Sequence, residues 1–268
     1  MRSEPAETRR AGNLSALCLL AFFTLSQALA LLFVLCGLTE DAARAAGGAL
    51  GLLLPFAALR RAVPAPEIQG PAEKAPLIPL FLLILGAAGG GIFISAGLLR
   101  LLPHGAAAAS TAPASLSPVW LLGVLVVQPL LEEWAFRGVL LSRLRGFGER
   151  FAIVAAAALF ALAHRSALRF PVALFAGLAL GFAAAKTGSL RLNAAAHIFY
   201  NVLGLLWQTG ALPTAPSALL MVLLGFWALS RLRGSFPGKT ASARDYLQFF
   251  AAPAMWAVWL FLLGGFLL

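Results

Sequence analysis

The chain has 268 residues, 61% of them hydrophobic and only 11% charged, with a mean hydropathy of +0.90. Soluble domains run at about 45–50% apolar and about 25% charged, so this composition excludes a water-soluble fold and indicates a membrane protein. The net charge of +10 does not point to nucleic acid, because no basic domain with interleaved aromatic residues is present; the basic residues sit between apolar runs, where they set topology and meet anionic lipid head groups.

A membrane helix needs about 20 apolar residues, with roughly 17–25 allowed. Nine segments qualify as candidates: 13–38, 45–59, 76–99, 118–142, 150–164, 169–185, 192–208, 216–230 and 249–268, of which the second and fifth are short. The first follows Arg9 and Arg10 and starts like a signal peptide, but it exceeds the roughly 7–15 apolar residues of such a segment. It reads as a retained span with an arginine anchor. Both cysteines, Cys18 and Cys36, lie in it; on a helix they are roughly 27 Å apart and cannot pair. The connection over 60–75, with Pro64, Pro66, Gly70, Pro71 and Pro76, predicts an irregular loop. Gly89, Gly90 and Gly91 in the third span, and Gly177 and Gly181 in the sixth, predict close helix packing. His104, after Pro103, reads as a solvated residue in a polar connection.

With the N-terminus in the cytoplasm and nine alternating spans, 15 of the 20 Lys and Arg residues fall on the cytoplasmic side. Arg44, Arg100, Arg165 and Arg169 fall on the other, and Arg137 lies inside a span. That bias fits the positive-inside rule and places the C-terminus opposite the N-terminus. The expected fold is all-α: a polytopic membrane helix bundle of eight or nine transmembrane helices, forming one integral membrane domain over 1–268 without internal repeats.

The fourth span carries Glu132, Glu133 and Arg137. Each ionisable group at the centre of a bilayer costs about 3 kcal/mol or more, so three within six residues require a reason. Glu133 and Arg137 are spaced i,i+4 with the acid N-terminal, the favourable order for an ion pair. Glu132 points about 100° away from Glu133, which predicts separate partners and leaves Glu132 for chemistry. The competing reading is one buried network that only fixes helix packing. The fifth span ends in Phe160-x-x-x-His164, and the seventh holds His197-x-x-x-Asn201 on one face. A lone histidine on an apolar face is usually a core residue; two of them beside two Glu, an Arg and an Asn are less easily explained so. At about 1.5 Å per residue, all four positions can meet inside the membrane, somewhat toward the cytoplasmic side.

In this order on successive apolar helices, the blocks Glu132-Glu133-x-x-x-Arg137, Phe160-x-x-x-His164 and His197-x-x-x-Asn201 resemble the CPBP family, the CAAX-protease and bacteriocin-processing membrane endopeptidases also called Abi proteins. The resemblance covers about 118–205, the expected catalytic core helices. It implies an intramembrane endopeptidase in which Glu132, helped by His164, activates water, while His197 and Asn201 bind the oxyanion. Glu133, Arg137 and Phe160 would organise the site. It implies no cofactor. Glu132, His164 and His197 are the alternative zinc set of a metalloprotease, although no His-Glu-x-x-His helix is present. Rival classes are a transporter using the same groups as a proton relay, for which no repeated halves are visible, and a non-catalytic membrane scaffold. The expected partner is a membrane-associated protein or peptide: a leader, or a C-terminal sorting tail of the kind trimmed by the myxosortase-like branch. The Ala-, Leu- and Arg-rich composition suggests a bacterial cytoplasmic (inner) membrane.

Overall fold

The computed structural model describes residues 5–63, 76–100, 117–232 and 241–267, with side chains up to residue 262. His104 and most of the 60–75 connection lie outside them. All regular structure among the described residues is helical: α1 (Pro5–Leu35), α2 (Glu40–Ala62), α3 (Leu77–Leu99), α4 (Pro118–Phe147), α5 (Glu149–Ala163), α6 (Arg169–Thr187), α7 (Leu190–Gln208), α8 (Thr214–Arg231), α9 (Ala243–Phe250) and α10 (Pro253–Leu267). The protein is an all-α polytopic membrane bundle.

Local chemistry explains most boundaries. Thr39 caps α2, whose first turn holds Glu40 and Asp41 and whose last turn holds Arg60 and Arg61, each charge at the helix end that its dipole favours. Ser117 caps α4 ahead of Pro118, and Ser189 caps α7. Gly188 ends α6 in the left-handed conformation at φ 65°, where a side chain would be strained. The apolar run expected as one span over 249–268 is two helices. Ser242 and Asp245 form a capping box that starts α9 early, and Pro253 starts α10 after a break at 251–252.

Among the described residues, six helices are long and apolar enough to cross a membrane: α1, α2, α3, α4, α6 and α8. The other three expected spans fall short of that standard for different reasons. Helix α5 has only 15 residues, roughly 22 Å against a hydrocarbon layer of about 30 Å. Helix α7 is interrupted by Arg191, Asn193, His197 and Asn201, and α10 is short where its side chains are described. Helix α2, expected to be short, has 23 residues.

The bundle exposes large apolar side chains on its outside and buries a small polar group within a largely apolar core. Leu31, Leu35, Ile78, Phe226 and Leu260 are 63% to 75% exposed, whereas Glu133, Arg137, Asn193 and His197 are at most 3% exposed. This arrangement suits lipid as the solvent. Small residues bring helices close, as expected. A Cβ on Gly91 of α3 would lie 2.5 Å from the Val172 Cα of α6, and one on Gly89 would lie 2.9 Å from the Ala218 carbonyl of α8. Gly177 and Gly181 let α6 approach Ala157 and Ile153 of α5, while Gly90 faces open space. Helix α10 runs parallel to α1: the Ala254 amide donates to Asn13, and Phe261 stacks on Phe23. The two helices therefore start on the same side of the bundle.

Candidate active site

Helix α4 carries the acidic pair and is not a regular α-helix. Two π-helical stretches, Gly123–Val127 and Glu133–Leu141, flank the α-helical turn Gln128–Glu132. Such wide turns are frequent at functional sites. Here the second one begins at Glu133, so the two adjacent carboxylates sit at a change of helical register.

Glu133 is fully sequestered. Its carboxylate accepts from Arg137 Nη1 at 2.8 Å, from His197 Nδ1 at 2.8 Å and from Asn193 Nδ2 at 3.2 Å. Arg137 also donates to the Gly177 carbonyl at 3.3 Å and lies 4.5 Å over the Phe160 ring. The ion pair expected from the i,i+4 spacing is thus present, with both side chains 1% exposed. Paired and hydrogen-bonded in this way, the two buried charges are mutually compensated.

Glu132 is in a different setting. It accepts from Gln128 Nε2 at 3.0 Å, and its other oxygen lies 3.5 Å from His197 Nε2. The two carboxylates have separate hydrogen-bond partners, as expected from the helical wheel, and His197 lies close to both. The His197 ring lies between them, offering one nitrogen to each, because α7 crosses α4 at the register change. Tyr200 stacks on His197 at 4.8 Å and 13°.

His164 ends α5, and its Nδ1 is 2.9 Å from the Phe160 carbonyl. A carbonyl can only accept, so the neutral ring carries its proton on Nδ1 and keeps Nε2 as an acceptor. Phe160 meets both imidazoles edge-on, at 4.9 Å from His164 and 5.7 Å from His197. Asn201 is one turn beyond His197 and half-buried, and it donates to the Val124 carbonyl at 3.3 Å, inside the first π-helical stretch.

A cavity of roughly 200 Å³ opens beside Glu132 and is lined by Phe22, Leu52, Gln128, Glu132, Phe136, Ala163, His164 and Arg169. Ala163 and His164, at the C-terminal end of the short helix α5, form part of its wall. A larger cavity of about 370 Å³, between α9 and α10, is lined by Leu247, Phe250, Ala251, Trp256 and Trp259, none of which can do acid–base or nucleophilic work.

The structure thus gathers Glu132, Glu133, Arg137, Phe160, His164 and His197 into one neighbourhood, with Asn201 at its edge. It adds Gln128, Asn193, Tyr200 and Arg169. Two of these were signalled by spacing: Gln128-x-x-x-Glu132 and Asn193-x-x-x-His197-x-x-x-Asn201 each continue a helical face. Among the described residues no three His, Cys, Asp or Glu side chains are grouped as metal ligands, while His197, with Nδ1 on Glu133, keeps Nε2 turned toward Glu132, the way a ligating histidine is held.

Residues 114–203 match the family model of the Rce1-like type II CAAX prenyl endopeptidases. This segment is Rce1-like. The match is consistent with the CPBP family and spans α4 to most of α7, the helices that build the site. The match covers about a third of the chain and, with the apolar helices, supports an intramembrane endopeptidase in general. Comparison with characterised proteins and with solved structures finds no match.

Proposed function

We propose that the protein is a metal-free intramembrane endopeptidase of the bacterial cytoplasmic membrane. It cleaves a membrane-associated protein within a hydrophobic leader or a C-terminal sorting tail. The observation that carries this reading is the shared cavity: Glu132, held by Gln128, and His164, with its Nδ1 on Phe160, line one opening. A carboxylate and an imidazole acceptor facing the same space are suited to activating a water molecule.

In this mechanism Glu132 takes a proton as the water oxygen attacks the scissile carbonyl carbon, and His164 orients that water through Nε2. The C–N bond of the tetrahedral intermediate then breaks, and the amine leaves with the proton held by Glu132. His197 and Asn201 stabilise the oxyanion. For His197 this has a condition. With Nδ1 donating to Glu133, Nε2 can donate only from the doubly protonated ring, whose charge the Glu133 carboxylate is placed to balance, as a buried carboxylate does behind other catalytic imidazoles. Asn201 must exchange its Val124 bond for the oxyanion. Fixed donors of this kind contribute several kcal/mol in a low-dielectric site.

Purified protein in lipid vesicles is expected to cleave peptides with an apolar tail, to contain no stoichiometric zinc and to resist chelators. One zinc per chain that restores activity to chelated enzyme would overturn the metal-free part. A wild type that cleaves nothing but couples uptake to protons would favour a transporter.

A further inference from the structure

The cavity beside Glu132 also holds a cation that forms no ion pair with that carboxylate or with any other among the described residues. The Arg169 guanidinium makes no hydrogen bond, ion pair or ring contact among the described residues. The other arginines near it are committed. Arg137 is ion-paired to Glu133, and Arg165 lies 4.5 Å over Phe261 and 5.5 Å from Phe23. Arg165 does this from a left-handed backbone at φ 49°, an uncommon conformation for a residue other than glycine. The turn between His164 and Arg169 is thereby tied to α1 and α10, while Arg169 stays on the cavity wall. Its own helix does not offset the charge either, since the first turn of α6 contains no acidic residue, which leaves Glu132 the one carboxylate lining the cavity with it.

The remaining walls, Phe22, Leu52, Phe136 and Ala163, are apolar. The space therefore offers apolar contact, a hydrolytic pair and one unpaired guanidinium, close enough to His164 to act on it electrostatically. A guanidinium is matched in shape and charge to a carboxylate, which it binds through two parallel hydrogen bonds. We propose that Arg169 binds a carboxylate of the peptide substrate, so that the cavity selects apolar peptides carrying a negative charge near the bond presented to Glu132. This rests on the endopeptidase reading above. The carboxylate can be the C-terminus of a chain ending in the cavity or an Asp or Glu side chain.

Binding is measured first, without turnover, on Glu132→Gln protein in nanodiscs of phosphatidylcholine. The probes are three fluorescein-labelled decapeptides that share four apolar C-terminal residues: one with a free C-terminal carboxylate, one amidated, and one amidated with a Glu before the apolar residues. At least one charged peptide should bind about tenfold more tightly than the neutral amide. Which one does so identifies the carboxylate. Adding Arg169→Gln should remove the preference, and Arg169→Lys should keep part of it, because a point charge lacks the planar fork. Arg169 is exposed, so both variants should purify as folded protein. Equal binding of all three peptides, binding of none, or a preference that survives Arg169→Gln would overturn the proposal. So would a preference abolished by adding phosphatidylglycerol, which would make a lipid head group the occupant. In otherwise wild-type protein, Arg169→Gln should raise KM about tenfold and leave kcat nearly unchanged. Selective binding without any cleavage by wild type would instead remove the endopeptidase reading and leave a carboxylate-binding cavity.

Discussion

Glu132 and Glu133 are neighbours in the chain and yet occupy the open and the sealed side of one site. Glu133 is buried with Arg137, Asn193 and His197, whereas Glu132 lines a cavity with Gln128, His164 and Arg169. On the sealed side Glu133 and Arg137 compensate each other, which fixes the helices and leaves only His197 Nε2 turned toward the open side. On the open side the polar atoms are only partly satisfied and a peptide can reach them. The register change in α4 lets one helix serve both sides. The difference teaches that burial within a membrane does not by itself mark a catalytic group; the reactive carboxylate is the one whose partners leave room for substrate.

The sealed side should break hardest. Glu133→Ala strands Arg137 and should cost about 3–5 kcal/mol, read as a large loss of folded yield together with activity. Glu133→Gln combined with Arg137→Met should recover part of the yield, because no lone charge remains, but not the activity. A single Glu133→Ala variant that folds like wild type would erase the distinction between the two sides. Glu132→Gln should do the reverse, abolishing cleavage while changing stability by no more than about 1 kcal/mol. Cleavage by that variant would remove Glu132 as the base.

Asn201 tests the boundary between the sides, since its side chain now holds a backbone carbonyl of α4. As an oxyanion donor, Asn201→Ala should lower kcat by on the order of 10²–10³-fold with KM nearly unchanged. As a mere brace between α7 and α4, it would alter stability by about 1 kcal/mol and leave kcat alone. Single-turnover kinetics beside a denaturation curve separates these outcomes.

The sealed side was the more legible in the sequence. Ionisable residues in an apolar run announce themselves, and the i,i+4 spacing of Glu133 and Arg137 gave their pairing. The open side was less so. Gln128 is an ordinary amide one turn before Glu132, and Arg169 reads as a loop charge on the far side. Only tertiary packing shows that Gln128 and Arg169 share a cavity. Neither the π-helical turns of α4 nor the bridging ring of His197 has a sequence signature, because both depend on how α7 crosses α4. Every candidate segment from 13 to 230 is a helix, although α5 and α7 fall short of a span, and the apolar pattern merged α9 and α10, where the capping box at Ser242 and the proline at 253 were local signals outweighed by hydropathy.

Gln128 provides the finest test. Its amide donates to Glu132 Oε1, and it lines the same cavity, so it is placed to hold the carboxylate toward an incoming water rather than to react. A single neutral donor to a carboxylate contributes about 1–3 kcal/mol. Part of that is lost when Gln128→Leu keeps the volume but removes the donor. The expected result is a fall in kcat of about tenfold, little change in KM, and stability within about 1 kcal/mol of wild type. Gln128→Glu should be worse than Gln128→Leu, since it sets a second negative charge against Glu132. Equal kcat for wild type and Gln128→Leu would show that the sealed side alone orients Glu132, through His197.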